Sequence, residues 1–141
     1  MIAANAAIGY TVRMAIQIFG TAKSFDTKNA ARWFSARAIR VQQIDLREKP
    51  ISKGELESVV TALARSLGGR GEAVNALIDG KSKEYASVAY LEDADKFGKL
   101  LENPLLLKTP IVRNTDPATC GGASAVTVGL QPEVWQRWTV S

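Results

Sequence analysis

Ile16-Gln-Ile-Phe-Gly-Thr-Ala-Lys-Ser-Phe-Asp-Thr-Lys-Asn-Ala-Ala-Arg-Trp-Phe34 reads as a buried strand, a short polar turn and a helix. Ile16, Ile18 and Phe19 are apolar and partly β-branched, which suits a central strand covered on both faces. Gly20 ends the run. Ser24, Asp26 and Thr27 are all competent N-cap residues, and Ala30, Trp33, Phe34 and Ala38 follow at spacings that line one helical face. The free N–H groups of that helix, and the positive end of its macrodipole, therefore point into the turn and favour an anion there. This makes Ser24 the residue at the centre of a candidate site, with Gly20, Thr21, Ala22, Lys23, Phe25, Asp26 and Thr27 around it as anion- or ligand-binding candidates.

Downstream, Arg40 to Leu46 reads as a second, less buried strand, with Val41, Ile44 and Leu46 imperfectly alternating with polar residues. Lys49-Pro50 ends it. Ser52-Lys-Gly-Glu55 is a capping-box pattern that opens a helix with Leu56, Val59, Val60, Leu63 and Leu67 on one face, and Gly68-Gly69 stops it. The order strand, helix, strand, helix is a βαβ unit followed by a further helix. Residues 71–107 read as a small helical insert, broken at Gly80 and Asn103-Pro104. Strands at 110–114 and 125–129 follow, and a short helix opened by Pro132 carries Val134, Trp135 and Trp138.

A chain of 141 residues, 46% hydrophobic and 23% charged, fits one globular domain that can bury a core without disulfide or metal staples. Residues 14–141 are read as that domain. Met14 stands just before the first strand, so residues 1–13 are read as an N-terminal extension, expected to be disordered or loosely packed. The single cysteine, Cys120, excludes a disulfide framework within the monomer and fits a reducing, cytoplasmic setting. No apolar run approaches a membrane span, so no membrane partner is expected. The net charge of +4 raises the question of nucleic acid, but the basic residues occur without a helix-turn-helix, zinc-finger or RNP-like pattern. Arg32, Arg37 and Arg40 are read as a solvated surface, and no direct nucleic-acid contact is expected.

From residue 14 onward the chain resembles the arsenate-reductase-related branch of the thioredoxin superfamily, the group that includes ArsC-type reductases, Spx and the YffB-like proteins. Besides the opening segment, the resemblance rests on Ile44-Asp-Leu-Arg-Glu-Lys-Pro-Ile-Ser-Lys-Gly-Glu-Leu56, on Glu102-Asn-Pro with Thr109-Pro-Ile-Val, and on Val128-Gly-Leu-Gln-Pro-Glu-Val-Trp135, in that order. It implies an α/β, thioredoxin-like fold: a four-stranded mixed sheet flanked by helices, with the helical insert between the βαβ unit and the C-terminal strand pair. It also implies that Pro110 is cis and that Thr109 and Pro110 lie beside the catalytic turn. The family's nucleophile is a cysteine at the position of Ser24. A thiol there would ionise near neutral pH, whereas a serine hydroxyl stays protonated and forms no disulfide.

The family's oxyanion-holding arginines match poorly here. Their expected places hold Asp79, Thr109 and Gln131, while Arg113 and Lys108 lie nearby but off the motif. Arsenate reduction is thus poorly supported on two counts, the thiol and the guanidinium set. Cys120 lies in the Gly-rich stretch 114–124, about 5 residues or ~17 Å along the strand from Pro110, and is read as an exposed or loop-packed thiol rather than a replacement nucleophile. Gly68-Gly-Arg-Gly71 lacks the preceding strand and the Gly-Lys-Ser/Thr ending of a phosphate loop. With no histidine in the chain, a Ser-His triad and most transition-metal sites are excluded, and neither a metal nor a cofactor is expected. Trp33, Trp135 and Trp138 are read as core or groove residues. The expected function is a redox-inactive binding or regulatory module that takes a protein or a small anionic or thiol ligand such as glutathione. The alternative is a glutathione- or thioredoxin-coupled reductase carrying an engineered cysteine-to-serine change at position 24.

Overall fold

The computed structural model describes residues 16–120 and 123–139; the expected extension, residues 1–13, lies outside the described residues. Four strands form one mixed sheet in the order β2-β1-β3-β4. β1 (Ile16–Gly20) pairs parallel with β2 (Val41–Asp45) and antiparallel with β3 (Ile111–Asn114), which pairs antiparallel with β4 (Val126–Val128). The sheet has helices on both faces. Side-chain alternation along β1 sends Ile16 and Ile18 to a cluster with Phe34 of α1 (Phe25–Ala36) and Trp135 and Trp138 of α5 (Pro132–Thr139). Phe19 goes to the opposite cluster, with Leu56, Val59, Val60 and Leu63 of α2 (Lys53–Leu67). Ile111 and Val112 of β3 divide between the two in the same way. This is the four-stranded α/β architecture that the resemblance implies.

α2 starts and stops where its sequence says. The Ser52 hydroxyl accepts the Glu55 N–H at 3.1 Å, the Glu55 carboxylate accepts the Ser52 N–H at 2.9 Å, and Gly68 closes the helix in the left-handed region at φ 97°. α1 ends less conventionally. It stops at Ala36 with Arg37 as its C-cap, and Ala38 just beyond adopts φ 58° and is exposed instead of extending the helix's buried face. The Ala38 N–H donates to the Ser35 carbonyl and the Ile39 N–H to the Phe34 carbonyl, the paired bonds of a Schellman motif. A Cβ in that conformation costs roughly 1–2 kcal/mol, more than the extra unfolded-state freedom of glycine. Ala38→Gly is accordingly expected to raise stability by about 0.5–1 kcal/mol, measured by urea unfolding; a loss of stability would show that the methyl group packs against something that matters.

The insert departs from the sequence expectation. Helix is present as α3 (Arg70–Ala76) and α4 (Asp93–Glu102), but the intervening segment forms turns with a single 3-10 turn at Tyr85–Ser87. Local side-chain bonds explain why. Asp79 Oδ1 accepts the Lys81 N–H at 2.9 Å and Ser82 Oγ accepts the Glu84 N–H at 3.2 Å, so these short polar side chains offer the backbone partners that compete with helix. The ends of the insert are tied together. Asp79 N–H donates to the Leu106 carbonyl and Lys108 N–H to the Leu77 carbonyl, both at 2.8 Å, around a bridge between Ile78 and Leu107. That tie places residues 78–81 beside residues 104–109, and both beside the β1–α1 turn.

Candidate functional site

Ser24 is the N-cap of α1, at φ −76° and ψ 118°, and its hydroxyl oxygen accepts the Thr27 N–H at 3.2 Å. Of the three N-cap candidates in the sequence, Ser24 takes the role because Phe25 already begins the helix; Asp26 falls in the first turn, where its carboxylate offsets part of the helix dipole. The same Ser24 oxygen accepts a hydrogen bond from the Thr109 hydroxyl at 3.1 Å, across 85 residues of sequence. The Thr109–Pro110 peptide bond is cis, and the Pro110 carbonyl accepts the Gly129 N–H at 2.8 Å, which joins this segment to the end of β4.

The expected site residues separate onto two sides of the turn. Thr21, Lys23, Ser24, Phe25, Asp26 and Thr109 line an open groove of about 780 Å³. Gly20, Ala22 and Thr27, again with Thr21, line a smaller depression of about 170 Å³, and Pro110 is buried. Gly20 is required by close approach: a Cβ there would fall 2.4 Å from Thr27 Oγ1 and 2.5 Å from its methyl carbon. The Thr27 hydroxyl is buried against that glycine without a hydrogen-bond partner.

The far wall of the groove comes from the insert, through Ile78, Asp79, Gly80, Lys81, Leu105 and Lys108. The sequence singles out none of these as ligand-binding, because their approach to Ser24 depends on the long-range Ile78–Leu107 bridge. The three places where arginines are expected have different fates. Asp79 and Thr109 both line the groove, whereas the Gln131 amide donates to the Val128 carbonyl at 2.9 Å and so ends the strand. Of the two nearby cations, Lys108 reaches the groove. Arg113 does not: it lies further along β3 on the α2 face of the sheet, where it donates to Ser58 at 3.0 Å and Gln17 at 3.3 Å.

Cys120 is buried at 6% exposure in the cluster with Phe34, Trp135 and Trp138, which corrects the exposed alternative for this thiol. Burial, assisted by the nearby Asp116 carboxylate, pushes its pKa up. A thiol so placed is expected to react slowly in the folded chain, and its contribution to stability is complete below the ordinary thiol value of about 8.5 and lost as pH rises through the raised one. Iodoacetamide at pH 8 is expected to label Cys120 only after urea unfolding; rapid labelling of the native chain would contradict this placement. Among the described residues no cluster of three or more His, Cys, Asp or Glu could hold a metal ion, and no helix is long and apolar enough to cross a membrane.

No protein-family model and no curated protein sequence matches the chain. Solved structures do. An ArsC-family-related protein from Bacteroides fragilis is 16% identical, with 90% of this chain and 99% of that one covered at a TM-score of 0.71. The arsenate reductase from Vibrio cholerae is 25% identical, with coverage of 70% and 82% and a TM-score of 0.57. An arsenate-reductase-related protein from Brucella melitensis is 13% identical, with coverage of 87% and 92% and a TM-score of 0.55. Together with the sheet order and the flanking helices, these likenesses establish that the chain has the thioredoxin-like fold of the arsenate-reductase-related proteins.

Proposed function

We propose that the chain is a redox-inactive binding module on an arsenate-reductase-related scaffold, and that the Ser24 groove holds a small peptide-like ligand without covalent chemistry. The observation that carries this reading is the Ser24 hydroxyl itself, tied to the Thr27 N–H and the Thr109 hydroxyl, with no thiol among the residues that line the groove. A hydroxyl so placed caps the helix and orders the groove. It has no histidine to act as its base, because the chain contains none.

Groove charge narrows the ligand. Lys23 and Asp26 line the turn side of the groove and Asp79, Lys81 and Lys108 the far wall, a mixed lining that suits a molecule carrying carboxylates together with an ammonium group. Glutathione has that pattern. Arsenate, a compact and purely anionic group, would find three lysines but also two carboxylates and no guanidinium fork. Titration of the 15N-labelled chain with reduced glutathione is expected to give saturable shifts at the Ser24, Asp79, Lys81 and Thr109 amides, with weaker response to arsenate. A flat glutathione titration, or tighter binding of arsenate, would overturn the reading.

A further inference from the structure

The basic residues are unevenly placed. Residues 23–53 hold eight Lys or Arg against three Asp or Glu, whereas residues 54–139 hold nine against eleven. This basic segment contains β2, which stands at one edge of the sheet. In the parallel ladder with β1, the Leu46 N–H donates to the Gly20 carbonyl at 2.9 Å and Gly20 registers with Asp45, so the even-numbered residues of β2 face β1. Val41 and Gln43 consequently turn their N–H and C=O groups outward, and among the described residues no strand pairs with them.

A crease runs along this edge. A depression of about 490 Å³ is walled by Ala31, Ser35 and Ile39 beside Arg40, Val41 and Gln43, and the 170 Å³ depression behind the β1–α1 turn continues it past Gln43 to Lys28 and Asp45. The combination is an unpaired strand edge, a partly apolar floor and flanking cations. We propose that this edge is a docking site for an extended acidic polypeptide segment, which adds to the sheet as a strand beside β2 and places its carboxylates near Lys28 and Arg40. Strand addition uses the outward N–H and C=O groups of Val41 and Gln43, and the local positive charge selects the acidic sequence. A second copy of this chain is disfavoured, since two such edges would bring like charges together. The site lies behind the turn from the Ser24 groove and does not depend on that groove's ligand.

The test uses the full chain, 15N-labelled, and the blocked peptide Glu-Val-Glu-Val-Glu-Val-Glu, with the Lys-for-Glu peptide and single-stranded oligothymidylate as comparisons. The expected result is slowed amide exchange at Val41 and Gln43 with the acidic peptide alone. Affinity should fall about tenfold in Arg40→Glu with Lys28→Glu and be lost in Gln43→Pro, whose missing N–H is one that the β1–β2 ladder does not use. If Gln43→Pro fails to fold, the charge-reversed variant decides. Equal binding of the lysine peptide, binding of oligothymidylate without protection of Gln43, concentration-dependent self-association of the free chain through this edge, or no binding of the acidic peptide would each overturn the proposal.

Discussion

Trp135→Ala is expected to remove about 3–5 kcal/mol of folding stability, the largest effect of any single truncation considered for this chain. Trp135 has no exposed surface and lies where α5 closes over the sheet. Its ring meets Trp33 edge-on at 5.5 Å and Phe34 at 5.1 Å, so truncation opens a large cavity and breaks two aromatic pairs. The indole N–H also donates to the Thr127 hydroxyl at 2.8 Å, and Thr127 is itself buried, so the truncated protein would keep a polar group with its partner removed. Against a total stability of about 5–15 kcal/mol for a domain, such a loss leaves the variant near its unfolding threshold. Urea unfolding would read it directly, and a loss under about 1.5 kcal/mol would mean that α5 is not a closing element of the core. Trp135→Phe keeps the ring contacts and removes the N–H; its smaller loss would separate packing from the hydrogen bond.

Ser24→Cys is the second large effect, on reactivity in place of stability. The new sulfur would sit at the N-cap of a 12-residue helix, facing the Thr27 N–H and the Thr109 hydroxyl, and both the helix dipole and these donors favour the thiolate. Its pKa is expected to fall below the free value of about 8.5, while the Cys120 pKa in the same molecule stays above the ordinary thiol value because burial disfavours its charge. Alkylation followed across pH, with the two cysteines resolved by peptide mass, should therefore show one thiol reacting at neutral pH and the other silent until the chain unfolds. If the introduced thiol titrates at or above the free value, the N-terminus of α1 does not act on this position. The variant would still lack the arginines of an arsenate site, since Asp79 and Thr109 line its groove.

The sheet and its flanking helices were legible because their signals are local. The apolar run Ile16–Phe19, the capping box at Ser52 and the Gly68 stop each act within a few residues, and each is found where the sequence puts it. The second strand is shorter at both ends than the pattern suggests, Val41–Asp45 instead of 40–46, as expected for an edge strand with exposed glutamines. Two features escaped for physical reasons. The end of α1 depends on alanine in a conformation that sequence assigns to glycine, so Ala38 reads as one more helical residue. The far wall of the groove is assembled by the bridge between Ile78 and Leu107, a non-local contact without a motif of its own. Asp79 and Lys108 could be noted from the sequence as residues that differ from an arginine pattern; their meeting with Ser24 follows from the fold. Cys120 does not line the groove, and its burial among tryptophans cannot be read from a Gly-rich neighbourhood.

On the proposed reading, the chain keeps an arsenate-reductase-related scaffold without its redox chemistry. Glutathione-coupled reduction of a model mixed disulfide, measured side by side for the chain with Ser24 and for Ser24→Cys, tests it most directly. The expected result is no turnover above background with Ser24 and a mixed disulfide with glutathione at the new thiol in Ser24→Cys. Turnover by the serine form, with Cys120 still buried and unmodified, would contradict the account.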